Sequence, residues 1–178
     1  MAWGTLAFAD PPSGALPKFD LVNWDGRRVS ADSLKGRTTL LVFTYARCAF
    51  ACPMVTAQLQ ELDRELGGPP DLLFLHVSVN PAQDTPEEAL RHFERHDLDP
   101  RKDRRWLFLI GPEDRIASAL SDFGIEVRRI PMGGEVLIEH TIRVLVVGPA
   151  GQVVATFDTY QWDQEEVIRA IRSSLGKG

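Results

Sequence analysis

Three short runs limit the architectures open to this chain. Residues 38–45 (TTLLVFTY), 72–79 (LLFLHVSV) and 106–110 (WLFLI) are unbroken stretches of apolar and β-branched residues, not alternations. A strand that is apolar on both faces must be covered on both, as an inner strand of a largely parallel sheet is. Helical periods lie between them. Residues 53–66 put Val55, Leu59, Leu62 and Leu66 on one face and stop at Gly67-Gly68. The next helix opens on Thr85-Pro86-Glu87-Glu88, with Thr85 the expected N-cap, Pro86 the first helical residue and Glu88 the capping-box partner. It is expected to reach about residue 96.

Residues 112–123 predict a third helix, ended by Gly124. A long β-rich run over 136–147 turns at Gly148-Pro149-Ala150-Gly151 into a partner strand at 152–157, and 163–175 form a closing amphipathic helix. Near the start, 19–24 and Val29 flank Asp25-Gly26, a strong hairpin signal. Strand–helix–strand, crossover, then hairpin–helix is the order of an α/β thioredoxin-like fold: a mixed central sheet flanked by helices, with an N-terminal β-hairpin. A chain of 178 residues suits one domain, and no repeat or linker divides it after Leu16. Residues 1–17 have no period and are expected to be a flexible leader to a domain over 18–178. Ala7-Phe8-Ala9 has the small-x-small look of a signal-peptidase site, but the segment before it is too short and lacks Lys or Arg. Twenty basic residues against twenty-five acidic give a net charge of −5 with no Lys/Arg run, which excludes a nucleic-acid footprint. No apolar stretch reaches the ~18 residues of a membrane span.

The two cysteines carry the chemistry. Cys48 and Cys52 lie in Arg47-Cys48-Ala49-Phe50-Ala51-Cys52-Pro53, where the first buried strand meets the first helix. Pro53 as first helical residue would make Cys52 the N-cap, where the helix dipole and free backbone N–H groups favour a thiolate. Arg47 adds a nearby positive charge. Two thiolates on one loop suit Cu(I) and also zinc. The same pair could cycle between dithiol and disulfide, or one thiolate could attack peroxide. Two inert core residues are the remaining alternative. The peroxide reading needs Pro-x-x-x-Thr-x-x-Cys, and those places hold Tyr45 and Ala49 before Cys52, or Leu41 and Tyr45 before Cys48. Both registers fail. A spacer of three residues also departs from the two of a thioredoxin-type dithiol.

Two thiolates leave a metal short of ligands. His140, in Glu139-His140-Thr141, lies in the later β-rich run, whose strands pack beside the cysteine strand in a thioredoxin-like fold. Taken alone, a strand histidine is more often packed than ligating. His92 and His96, at i and i+4, have zinc-compatible spacing, but Glu94, Arg95 and Asp97 favour a solvated helix face. His76 reads as core, and Met54 and Met132 as ordinary helix-start and loop side chains.

Together these residues resemble the Sco/SenC family: Phe43-Thr44-Tyr45-x-x-Cys48-x-x-x-Cys52-Pro53, then Val77-Ser78-Val79-Asn80-Pro81-x-x-Asp84-Thr85-Pro86, then Trp106-x-Phe108-Leu109, then Glu139-His140-Thr141. The agreement runs over roughly residues 18–175. The resemblance implies a thioredoxin-like fold binding a copper ion through Cys48, Cys52 and His140. It implies a metallochaperone for the dinuclear copper site of cytochrome c oxidase, with the oxidase's copper-bearing subunit or another copper chaperone as partner. The alternative it carries is a thiol–disulfide reductase keeping the oxidase cysteines reduced, with Cys48 and Cys52 as the redox pair. It also implies a periplasmic or membrane-facing location outside the cytoplasm, and membrane association of the full-length form. Ala49 and Phe50 stand where the family often has Pro and an acidic residue, Asn80 where it usually has Asp, and Glu139 where an Asp commonly precedes the histidine.

Overall fold

The three apolar runs stand side by side at the centre of an eight-stranded sheet. The structure, a computed structural model, describes residues 12–48 and 51–176. In chain order the strands are β1 (Gly14–Ala15), β2 (Asp20–Asn23), β3 (Arg28–Ser30), β4 (Thr38–Thr44), β5 (Leu72–Ser78), β6 (Trp106–Ile110), β7 (Val127–Met132), β8 (Glu135–His140), β9 (Val144–Val147) and β10 (Gln152–Phe157). The helices are α1 (Ala51–Glu65), α2 (Pro86–Glu94), α3 (Glu113–Asp122) and α4 (Gln164–Ser174). The sheet runs β1-β10-β9-β4-β5-β6-β2-β3, and β7-β8 form a separate ribbon. Strands β4, β5 and β6 are parallel, with Thr44 opposite Ser78 and His76 opposite Phe108. Strand β9 lies antiparallel to β4 on its other side. The unit β10-β9-β4-β5 with α1 and α4 is the thioredoxin-like core, and the β2–β3 hairpin adds to the edge beyond β6 through Val22 and Ile110.

Every residue of β4 and β5 is buried, as their continuous apolar character requires. Odd positions such as Leu41, Phe43, Leu73 and Leu75 pack with Ile116, Leu120 and Phe123 on the α3 side. Even positions such as Leu40, Val42 and Phe74 pack with Leu59, Leu62, Phe93 and Ile168 from α1, α2 and α4. Phe74 and Trp106 stack at 4.1 Å across β5 and β6. The α1 helix ends where Gly67, at φ 76°, turns left-handed, and the Gly68 N–H bonds back to the Asp63 carbonyl at 2.9 Å.

Several expectations shift. Helix α2 ends at Glu94, and Thr85 caps it by accepting from the Glu88 N–H at 3.3 Å. The Glu88 carboxylate turns to Arg47 and Arg91 instead of closing the capping box. The run 136–147 is two strands, not one. Its first half, β8, pairs with β7 across Gly133-Gly134, both at positive φ, and its second half, β9, joins the main sheet. The break is enforced at Thr141–Arg143. The Thr141 N–H bonds to the Glu126 carbonyl at 3.0 Å, while Arg143 is drawn inward onto the Phe123 carbonyl at 2.8 Å and Asp158 at 2.6 Å. Within 1–17, Gly14 and Ala15 pair with β10 and Leu16 is buried. Ala7–Ala9, like Ala49 and Phe50, lies outside the described residues.

Candidate metal centre

The C-terminal end of β4 carries the cysteine loop, and three contacts fix it before the first cysteine is reached. The Ala46 N–H donates to Asp84 Oδ1 at 2.9 Å, Arg95 reaches the Ala46 carbonyl, and the Val79 N–H donates to the Thr44 carbonyl at 2.8 Å. Asp84 is itself held by the Ser78 hydroxyl at 2.5 Å. The Asn80–Thr85 segment is thus a clamp on the cysteine loop. Its anchor is a buried carboxylate, whose burial pushes its pKa up to about 6.

Helix α1 begins at Ala51, so Cys52 lies inside the first turn and Pro53 follows it. This corrects the N-cap placement. Proline is tolerated there because first-turn N–H groups have no intrahelical partner. Neither cysteine is in a disulfide, and Cys48 is half-buried while Cys52 is 5% exposed. A hydrogen bond with Cys48 and burial together hold the Cys52 thiol well above its ordinary range, outweighing the Thr44 hydroxyl and the Tyr45 backbone. In the apo protein Cys52 is therefore a thiol, contrary to the activation expected from the dipole and Arg47. Arg47 does not supply it because its guanidinium is paired with Glu88 at 2.9 Å.

His140 comes from the end of β8 and reaches the same corner. Its ring stands edge-on to Tyr45 at 6.3 Å, and Tyr45 is hydrogen-bonded to Cys48. Burial and that neighbour push the Tyr45 phenol up, so it stays neutral. The His140 Nδ1 lies 2.9 Å from the Thr141 carbonyl, which can only accept. Nδ1 therefore carries the proton and Nε2 keeps its lone pair. Burial lowers the His140 pKa, so the ring is neutral at pH 7. His140 and Cys52 line one small cavity of about 20 Å³ under the site. Among the described residues, no three His, Cys, Asp or Glu side chains converge closely enough to hold a metal as they stand.

The remaining candidates divide. Met54 is 49% exposed at the helix start, and His76 is fully buried, both as read. His92 is not on a solvated face. It is buried against His76 and His96, each ring 5.3 Å away, with Nε2 at 3.1 Å from Thr56 Oγ1, and desolvation pushes it down to about 3. Sequence reasoning missed Arg143, which is buried and anchors the chain three residues after His140. The one signal for it is a cation inside an otherwise apolar run.

A thioredoxin-like scaffold with a dithiol at the strand–helix junction, and a histidine returned to it from a later ribbon, defines a narrow class. The SCO1/SenC family profile matches residues 10–176, and the chain belongs to that family. The SCO1 protein homolog of Bacillus subtilis is 28% identical over 97% of this chain and 89% of its own length. The structure of Bradyrhizobium japonicum ScoI with copper bound has the same fold, with TM-score 0.77 at 24% identity over 92% of this chain and 99% of that one. BsSco, a Sco-family cytochrome c oxidase assembly protein with an identified disulfide switch, gives TM-score 0.74 at 27% identity, covering 95% and 98%. Among the described residues no helix is long and apolar enough to cross a membrane.

Proposed function

We propose that this chain is a copper metallochaperone that takes Cu(I) or Cu(II) as cargo on Cys48, Cys52 and His140 Nε2. It passes the ion toward the dinuclear copper site of cytochrome c oxidase, through the oxidase's copper-bearing subunit or another copper chaperone. The work is done on the outer side of a membrane, as the family membership suggests. The observation that carries the reading is the fixed tautomer of His140. Its Nδ1–H is committed to the Thr141 carbonyl, which leaves a bare, neutral Nε2 on a ring that lines one cavity with Cys52. Two soft donors and one borderline donor suit copper in both oxidation states.

Copper displaces the proton from each thiol, so ligation of one Cu(I) by the pair sends two protons to solvent and affinity rises with pH. Binding also draws Cys48 and His140 toward Cys52. Oxidation of the two copper-bound thiolates to a disulfide, with two electrons passing to a partner disulfide that is reduced to a dithiol by two solvent protons, takes both sulfur ligands from the metal and makes redox state a release signal. A groove of about 300 Å³ beside His140, lined by Glu126, Arg128, Glu139 and Asp158, gives a partner segment access to that ligand. The test is His140→Ala. It should weaken Cu(II) far more than Cu(I), because two thiolates alone hold Cu(I) linearly. Equal losses for both ions would remove His140 from the site.

One observation favours a second reading, thiol–disulfide reduction: Cys48 is the more accessible sulfur and Cys52 is buried behind it. That order suits attack by Cys48 on a partner disulfide and resolution by Cys52, with two electrons passing to the partner. A reduction potential far from the oxidoreductase range would exclude it.

A further inference from the structure

The small cavity beside Cys52 is lined by a group that the copper reading leaves unused. His76, on β5, is fully buried, and neither ring nitrogen has a hydrogen-bond partner. A neutral imidazole has one N–H and one lone pair, and buried polar groups of this kind are nearly always satisfied. The Phe93 ring, perpendicular at 5.2 Å, can receive an N–H weakly, but it offers nothing to a lone pair. His92 does not fill the need, since its Nε2 is engaged by Thr56. The parallel neighbours of His76 in the sheet are Val42 and Phe108, so nothing in the strand calls for an imidazole. What His76 does share is the cavity of about 20 Å³, whose other lining includes Cys52, His140, Thr44 and Thr56. That volume is about one water-sized sphere, enough for a single ion.

We propose that the Cys52 sulfur and the His76 imidazole form an inner, two-coordinate Cu(I) position beneath the outer Cys48–Cys52–His140 site. This rests on the copper reading above and deepens it. Two-coordinate sulfur–nitrogen binding is suited to Cu(I), needs no third ligand, and excludes ions that require higher coordination. Entry of the ion replaces the Cys52 S–H proton, which leaves to solvent, while the His76 ring keeps its N–H and donates its lone pair. Because Cys52 belongs to both positions, one ion occupies one position at a time. Thr56 secures the inner wall, its hydroxyl 3.1 Å from the Cys52 carbonyl and 3.1 Å from His92 Nε2.

The experiment is an anaerobic Cu(I) titration against a competing chelator, run on wild type, Cys48→Ala, Cys48→Ala/His140→Ala, and each of these with His76→Phe. It is paired with imidazole ¹⁵N NMR of the labelled protein before and after Cu(I). Phenylalanine suits the aromatic surroundings of His76, and His76→Gln serves if that variant fails to fold. The proposal expects Cys48→Ala/His140→Ala to keep one-to-one Cu(I) binding. It expects His76→Phe to weaken that binding at least as much as loss of a supporting group does, about tenfold or more. It also expects the ¹⁵N resonance of His76 to move with Cu(I) in the Cys48→Ala protein. Loss of binding in Cys48→Ala/His140→Ala as complete as in Cys48→Ala/Cys52→Ala, or an unmoved His76 resonance, overturns the inner position and leaves the outer site intact. Absence of binding by wild type would instead overturn the copper reading itself.

Discussion

Asp84 holds the cysteine loop by a carboxylate in a place that disfavours charge. Its folded pKa of about 6 lies above the ordinary 3.8. Below 3.8 both folded and unfolded chains are protonated. Between 3.8 and 6 the unfolded chain releases its proton first, so stability falls as pH rises, by about 3 kcal/mol for this group. Asp84→Asn keeps an acceptor for the Ala46 N–H and removes that slope. The expected result in urea unfolding of apo protein is an Asn variant that gains on wild type by about 2 kcal/mol between pH 4.5 and 7. A pH-independent difference would contradict the assigned burial. In the sequence, Cys48 and Cys52 stand out as candidates by residue type and spacing, whereas His140 becomes one only through the resemblance to the Sco/SenC family. Asp84 was visible only as part of a motif, and Arg143 and the contacts of His92 were not, since they depend on which distant backbone the side chain meets.

Among the elements, the β7–β8 ribbon has the most leverage on the site, because it aims His140. Its exit is pinned by Arg143, whose guanidinium is wholly buried between the Phe123 and Gly124 carbonyls and Asp158. Removing a buried cation leaves those acceptors unpaired, and Arg143→Ala should cost about 3 kcal/mol. It should also weaken Cu(II) more than Cu(I) through the displaced His140. A stability loss below about 0.5 kcal/mol, the range of ordinary surface changes, would show that the pin is not needed. At the other clamp, Thr85→Ala should cost about 1 kcal/mol through loss of the α2 cap. Helix α1 and strands β4 to β6 could be read from period and apolar runs. The ribbon could not, because 127–132 is rich in Arg and carries a Pro. The one usable signal was Gly133-Gly134, a two-residue hairpin turn between Met132 and Glu135.

Across the whole molecule the buried histidines make the apo protein acid-sensitive. His76 and His92 are both held neutral, mainly by burial, with His92 at about 3 and His76 well below its ordinary 6.5. A base whose folded pKa is depressed loses stability as pH falls below its unfolded value. At pH 4.5 His92 costs about 3 kcal/mol, His76 acts in the same direction, and the protonation of Asp84 returns about 2. The histidines win. Apo protein should therefore lose stability between pH 6.5 and 4.5, and His76→Phe should recover part of that loss. A flat profile would contradict the burial of that cluster. The thioredoxin-like order of elements was legible in the sequence, whereas the cavity that His76 shares with Cys52 emerged only once β4, β5 and α1 met. The most direct test of the copper assignment is anaerobic Cu(I) competition with reduced wild type and Cys48→Ala/Cys52→Ala. The account predicts tight one-to-one binding that disappears in the double variant. Weak binding by wild type, or binding that survives loss of both sulfurs, would contradict it.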